Sequence, residues 1–156
     1  MIVVADASVA LKWFFRMRAT EADVGPALSL LKGVADGRVE LLEPPHFVAE
    51  VAAVLVREAP RTAAASLHDL LAIEMRVGAD ESVYAAALVL AESHKHHLFD
   101  TLYHSLALAT PGAQFVTADE AKESSKYNLN TLCRVPTMLH GPSTRRSEVS
   151  CTCLSP

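Results

Sequence analysis

The chain opens on an unbroken apolar run, residues 2–5 of "MIVVAD", that stops at an acid. A short β-branched run without polar alternation predicts a parallel strand buried on both faces. From residue 7 to about 17, apolar positions recur at helical spacing. Thr20 with Asp23 resembles a capping box and predicts a second helix from 21 to about 36, closed by Gly37. Residues 39–42 predict another strand, ended by Pro44-Pro45, and Pro45 suits the first turn of a helix from 46 to about 58. Pro60 separates that helix from the next, "RTAAASLHDLLAIEMR". Asp80 is placed to cap the alanine- and leucine-rich "ESVYAAALVLAES", and "HKHHLF" connects it to a helix from Asp100 to about 110. Pro111-Gly112 stops that helix, and residues 114–118 form a strand ending at Asp119.

Strands alternating with helices through short connections predict an α/β fold, a three-layer α/β/α sandwich around a mostly parallel central sheet. One domain over residues 1–139 accounts for the pattern, with "TLCRV" as a candidate last strand. From 140 to 156, "HGPSTRRSEVSCTCLSP" shows neither helical nor strand period, and its Gly, Pro, Ser and Thr content reads as an irregular tail.

Composition adds limits. A chain of 156 residues, 51% hydrophobic, can bury one sizeable core. No apolar run approaches the roughly 18–20 residues of a membrane span, and the start has no leader-like basic and apolar segments. A soluble, cytoplasmic protein is the expectation, with no membrane partner. Three cysteines, Cys133, Cys151 and Cys153, are odd in number and late in the chain, so no disulfide framework is indicated. The net charge of −4 speaks against phosphate binding only if the acids are spread over the surface. Four of the 18 acidic residues gathered in one pocket would leave the rest in balance with the 14 basic ones.

The acids do fall at telling places. "VVAD" and "FVTAD" both end strands in Asp, at Asp6 and Asp119, and functional groups in open α/β sheets gather at the carboxyl ends of strands. Glu50 sits at the border of the apolar arc formed by Phe47, Val48, Val51, Val54 and Leu55, where it can lean into a cleft edge. Asp100 opens "DTLYHSLALA", where helix N–H groups favour a carboxylate. Each also has an ordinary explanation: Asp6, Asp100 and Asp119 as caps, Glu50 as a surface partner of Arg57. Together they point to a site, because clustered carboxylates raise one another's pKa unless a cation neutralises them. Oxygen-only ligands suit Mg²⁺ or Mn²⁺.

The ordered set "VVADASVALKWF", "EPPHFVAEVAAVL", "LFDTLYHSLALA" and "FVTADEA" resembles the PIN-domain ribonucleases, in particular the VapC-type toxins of toxin–antitoxin pairs. The resemblance spans roughly residues 1–125. It implies that Asp6, Glu50, Asp100 and Asp119 form an acidic site for Mg²⁺ or Mn²⁺, supported by the hydroxyls of Ser8 and Thr117. It also implies metal-dependent endonucleolytic hydrolysis of single-stranded RNA, a cognate antitoxin as partner and a homodimer. After Asp119 the chain departs from the family pattern. A PIN fold acting mainly through protein–protein complexes is therefore the alternative. A haloacid-dehalogenase-type phosphatase would carry a second Asp where this chain has Ser8, and a receiver domain would carry an acid pair where Asp6 stands alone.

Other residues are weaker candidates. Lys12 and Arg16, four apart on the first helix, suit phosphate or partner contacts or a solvated face. Trp13 suits core packing, or stacking on a base if exposed. His96, Asp100 and His104 share a face only if the helix runs unbroken through "HKHHLF". His104 is also placed to contact RNA near the acidic pocket.

Overall fold

The computed structural model describes residues 1–16 and 24–118. The Thr20/Asp23 capping box, Asp119, the "TLCRV" strand, the three cysteines and the tail lie outside the described residues.

Ten elements follow in order: β1 (Ile2–Ala5), α1 (Ala7–Phe14), α2 (Val24–Ala35), β2 (Glu40–Glu43), α3 (Phe47–Glu58), α4 (Ala63–Leu71), β3 (Met75–Val77), α5 (Glu81–His94), α6 (Leu98–Ala109) and β4 (Ala113–Val116). The four strands form one sheet in the order β3-β2-β1-β4, and every pairing is parallel. In β1, Val3, Val4 and Ala5 are all buried, which fits a central strand covered on both faces. Its register sets Ile2 against Glu40 on one side and Ala113 on the other.

The connections from β1 to β2 and from β2 to β3 step in one direction across the sheet, and the return from β3 to β4 steps in the other. Right-handed crossovers then place α1–α4 over one face and α5–α6 over the opposite face. Packing agrees: α1 meets α2 and α3, α3 meets α4, and α6 lies against α5, β1 and β4. The result is the three-layer α/β/α sandwich expected from the alternation of strands and helices.

Most elements begin and end for local reasons. Asp6 caps α1, with its Oδ1 accepting from the Ser8 N–H at 2.7 Å. Asp80 caps α5, accepting from the Val83 N–H at 3.0 Å. Lys95 takes a left-handed conformation at φ 53° and ends α5, so the histidines of "HKHHLF" do not share one helix with Asp100 and His104. Two expectations need correction. The helix expected through "AIEMR" stops at Leu71, and Met75–Val77 form an edge strand against β2, with Leu41 opposite Met75. Helix α6 begins at Leu98, capped by His97, so Asp100 lies in its first turn rather than at its start.

Candidate functional site

In the order β3-β2-β1-β4 the chain's direction of travel across the sheet reverses between β1 and β4, and the carboxyl ends of strands at such a reversal are where open α/β sheets hold their ligands. Asp6 stands at that point. Its N–H extends the β1–β4 ladder to Val116 O at 2.9 Å, and its own carbonyl accepts from Val9 N at 2.9 Å to start α1. The side chain is 9% exposed. Ser8 ties the two strand ends together: its Oγ accepts from the Ala118 N–H at 3.1 Å and lies 3.5 Å from Thr117 Oγ1. The structure thus brings Asp6, Ser8 and Thr117 to one place, beside the last described residue before Asp119.

Glu50 approaches from α3. It does not pair with Arg57, whose guanidinium binds Glu58 at 3.0 Å. Instead Tyr103, from α6 on the opposite layer, donates its hydroxyl to Glu50 Oε2 at 2.7 Å. Tyr103 is fully buried. Burial pushes its phenol far above the ordinary range, followed by the hydrogen bond to Glu50 and the charges of Glu50, Asp6 and Glu43. The phenol therefore stays a donor, and three carboxyl groups from α3, the end of β1 and β2 act on it. His46 stacks on Phe99 with centroids 4.7 Å apart and meets Tyr103 edge-on at 4.9 Å. Its Nε2 is 3.6 Å from Glu50 Oε2. Burial lowers the His46 pKa, opposed by the Phe99 backbone and by the charge of Asp100, so the imidazole is neutral at pH 7. Asp100 is exposed in the first turn of α6, on the His46 side of this group.

Sequence reasoning missed Glu43. It ends β2 as Asp6 follows β1, yet it is 0% exposed. Its Oε1 accepts from the Ala5 N–H at 3.1 Å, and its Oε2 has no hydrogen-bond partner among the described residues. Burial drives its pKa well up, with the Asp6 charge adding to the shift and the Ala5 N–H opposing it. The available signal was positional, an acid closing the apolar pair of "ELLE" at the same sheet edge as the other strand-end acids.

Several secondary candidates are placed elsewhere. Trp13 is 5% exposed, and its indole N–H donates to Ala27 O at 2.9 Å. It locks α1 to α2 and offers no open face to a base, which corrects the stacking reading. Lys12 is buried at 7% exposure, which corrects the solvated-face reading, whereas Arg16 is exposed. His104 packs on Phe115 with centroids 6.0 Å apart, and burial, followed by His94, lowers its pKa. A neutral, packed imidazole is not a cationic contact for phosphate. Among the described residues, no three His, Cys, Asp or Glu side chains are grouped closely enough to hold a metal ion. None of the described helices is long and apolar enough to cross a membrane.

No family model matches the sequence, and no curated protein matches it. Among solved structures the chain is similar to Mycobacterium tuberculosis VapC20, described as a sarcin-ricin loop cleaving toxin. The TM-score is 0.56 at 19% identity, over 79% of this chain and 92% of that one. The fold is PIN-like. Within it, Asp6 and Thr117 sit at the ends of neighbouring parallel strands, and Glu50 of α3 is hydrogen-bonded to Tyr103 of α6.

Proposed function

We propose that this chain is a Mg²⁺- or Mn²⁺-dependent endoribonuclease that hydrolyses single-stranded RNA, the toxin of a toxin–antitoxin pair. The observation that carries the reading is the meeting of Asp6, Ser8 and Thr117 at the switch point of a PIN-like sheet, where the Asp6 N–H reaches Val116 O and Ser8 Oγ accepts from the Ala118 N–H. The fold shared with VapC20 supports it, as does the resemblance of the four acid-bearing segments to VapC-type toxins. Its expected setting is the cytoplasm, with RNA as substrate, a cognate antitoxin as inhibitor and a homodimer as the working form.

The donor set fits a hard divalent cation, since every candidate ligand is a carboxylate oxygen and the only supporting groups are hydroxyls. Asp6 and Asp119 would hold the ion, with Glu50 and Asp100 completing the set. When bound, Mg²⁺ or Mn²⁺ supplies charge neutralisation and Lewis acidity for attack of water on a phosphodiester. The chain's own residues do the positioning. Ser8 fixes the end of β4 against the start of α1 through the Ala118 N–H. Tyr103 holds one oxygen of Glu50 and so limits how that carboxylate can turn. His46, neutral and wedged between Phe99 and Tyr103, shields this group without adding a competing positive charge.

Cleavage of labelled single-stranded RNA with Mg²⁺, with Mn²⁺ and with EDTA, beside Asp6→Asn, tests the reading. Asn caps helices as well as Asp does, so the variant keeps the bond to the Ser8 N–H and loses only the charge. The expected result is metal-dependent cleavage that falls by at least about 100-fold in the variant. No cleavage, together with no Mn²⁺ binding by calorimetry, would replace the enzyme with a PIN fold that works through complex formation.

A further inference from the structure

The pairing of β1 with β2 joins Ile2 to Glu40 and Val3 to Leu41, and the same register carried forward sets Ala5 beside Glu43. At that position the strands are joined by a side chain: the Ala5 N–H goes to Glu43 Oε1 at 3.1 Å. On the other edge of β1 the ladder with β4 continues through Ala5↔Val116, and the next N–H, that of Asp6, reaches Val116 O. The two peptides that lead into Asp6 are therefore held on opposite edges of β1, Ala5–Asp6 by backbone on the β4 side and Val4–Ala5 by one carboxyl group on the β2 side.

A carboxyl group is a costly way to supply that acceptor. Glu43 is fully buried and its second oxygen has no partner among the described residues. An amide would accept the same N–H without the penalty of burying an ionisable group. A buried polar group kept at a cost to stability, one residue from a site, invites a role in that site.

We propose that Glu43 is a positioning residue: its Oε1 fixes the Val4–Ala5 peptide, the unit just before the one that carries the Asp6 N–H, and so sets the direction in which Asp6 presents its carboxylate to a divalent cation. This rests on the functional reading above and goes beyond the four acids of the sequence pattern, none of which is Glu43. Supporting groups of this kind, when removed, typically weaken metal binding about 10- to 100-fold.

Three variants of the full chain separate the possibilities. Glu43→Gln keeps an oxygen acceptor at the same reach, Glu43→Asp withdraws it by one methylene, and Glu43→Met removes it. Mn²⁺ affinity is measured by calorimetry, and hydrogen exchange of the Ala5 amide is followed in metal-free protein by NMR. Expected are a slow Ala5 amide and Mn²⁺ affinity within about threefold of the parent in Glu43→Gln, against a fast amide and an affinity reduced about tenfold or more in Glu43→Asp and Glu43→Met. Unchanged Mn²⁺ binding in Glu43→Asp would overturn the proposal even if Glu43→Met failed to fold. Equal losses in Glu43→Gln and Glu43→Asp would overturn it too, because the charge rather than the acceptor would then matter. If the parent protein binds no Mn²⁺, the functional reading itself falls, and the positioning role with it. A parent that binds while its variants are indistinguishable from it rejects the positioning role alone.

Discussion

Glu43 sets the strongest expectation at the scale of single residues. Its folded pKa is raised above the ordinary 4.5 by burial. Below pH 4.5 the carboxyl is neutral whether the chain is folded or not, and it makes no demand on stability. As pH rises, the unfolded chain gives up the proton while the folded one retains it or buries a charge, so stability is lost progressively up to the folded pKa. Glu43→Gln has no such proton. The variant is expected to gain stability relative to the parent as pH is raised above 4.5, measured as a widening difference in urea midpoints. The Tyr103 hydroxyl makes a second case. Tyr103→Phe keeps the ring contacts with His46 and Phe47 and removes only the donor to Glu50. Glu50 is partly exposed and can recover water, so the loss is expected near 1 kcal/mol, read as a lower midpoint with an unchanged m-value.

Elements show which parts of the fold were legible in the sequence. Strand β1 and helices α3 and α5 were foreseeable because their signals are strong and local: a pure apolar run, a Pro-marked start, an Asp cap bonded to the Val83 N–H. Strand β3 was not foreseeable. It is three residues long, only half-buried at Met75 and exposed at Arg76 and Val77, and exists because β2 offers it an edge. No period can develop over so few residues, and the helical pattern before it runs on in the letters. The Glu50 contact was hidden for a similar reason, since its partner lies 53 residues away on the opposite layer while Arg57 lies about two helical turns further along α3. Of the candidate site, the order of the acids was readable; the buried Glu43 and the phenol that binds Glu50 were not. The docking of α2 supplies a test of element packing. A Cβ added at Gly33 would meet Val39 Cγ2 at 2.8 Å, and Val39 is itself buried. Gly33→Ala should gain up to about 1 kcal/mol in helix propensity yet lose about 1–3 kcal/mol to overpacking. A lowered melting temperature is the expected net result, and a rise would show that the Gly33–Val39 contact yields easily.

At the scale of the whole molecule, the sheet directs its costs to one edge. Parallel strands buried on both faces bring their carboxyl ends to a common edge, where Asp6 follows β1 and the buried Glu43 ends β2, and the charge of Asp6 adds to the burial that raises the Glu43 pKa. A divalent cation bound there would act on folding as well as on chemistry, since whatever binds the native state alone stabilises it. At a Mn²⁺ concentration 100 times its dissociation constant, the gain is about 2.7 kcal/mol. For a domain of this size that raises the melting temperature by roughly 5–10 °C. EDTA should reverse the shift fully, and Asp6→Asn, which keeps the helix cap, should abolish it while leaving the metal-free melting temperature equal or higher. The last point separates a site from a surface effect. Acids that merely decorate an exposed edge would give a small shift that 0.5 M salt removes by screening. A shift that survives salt and vanishes with the single charge of Asp6 places the ion at the end of β1.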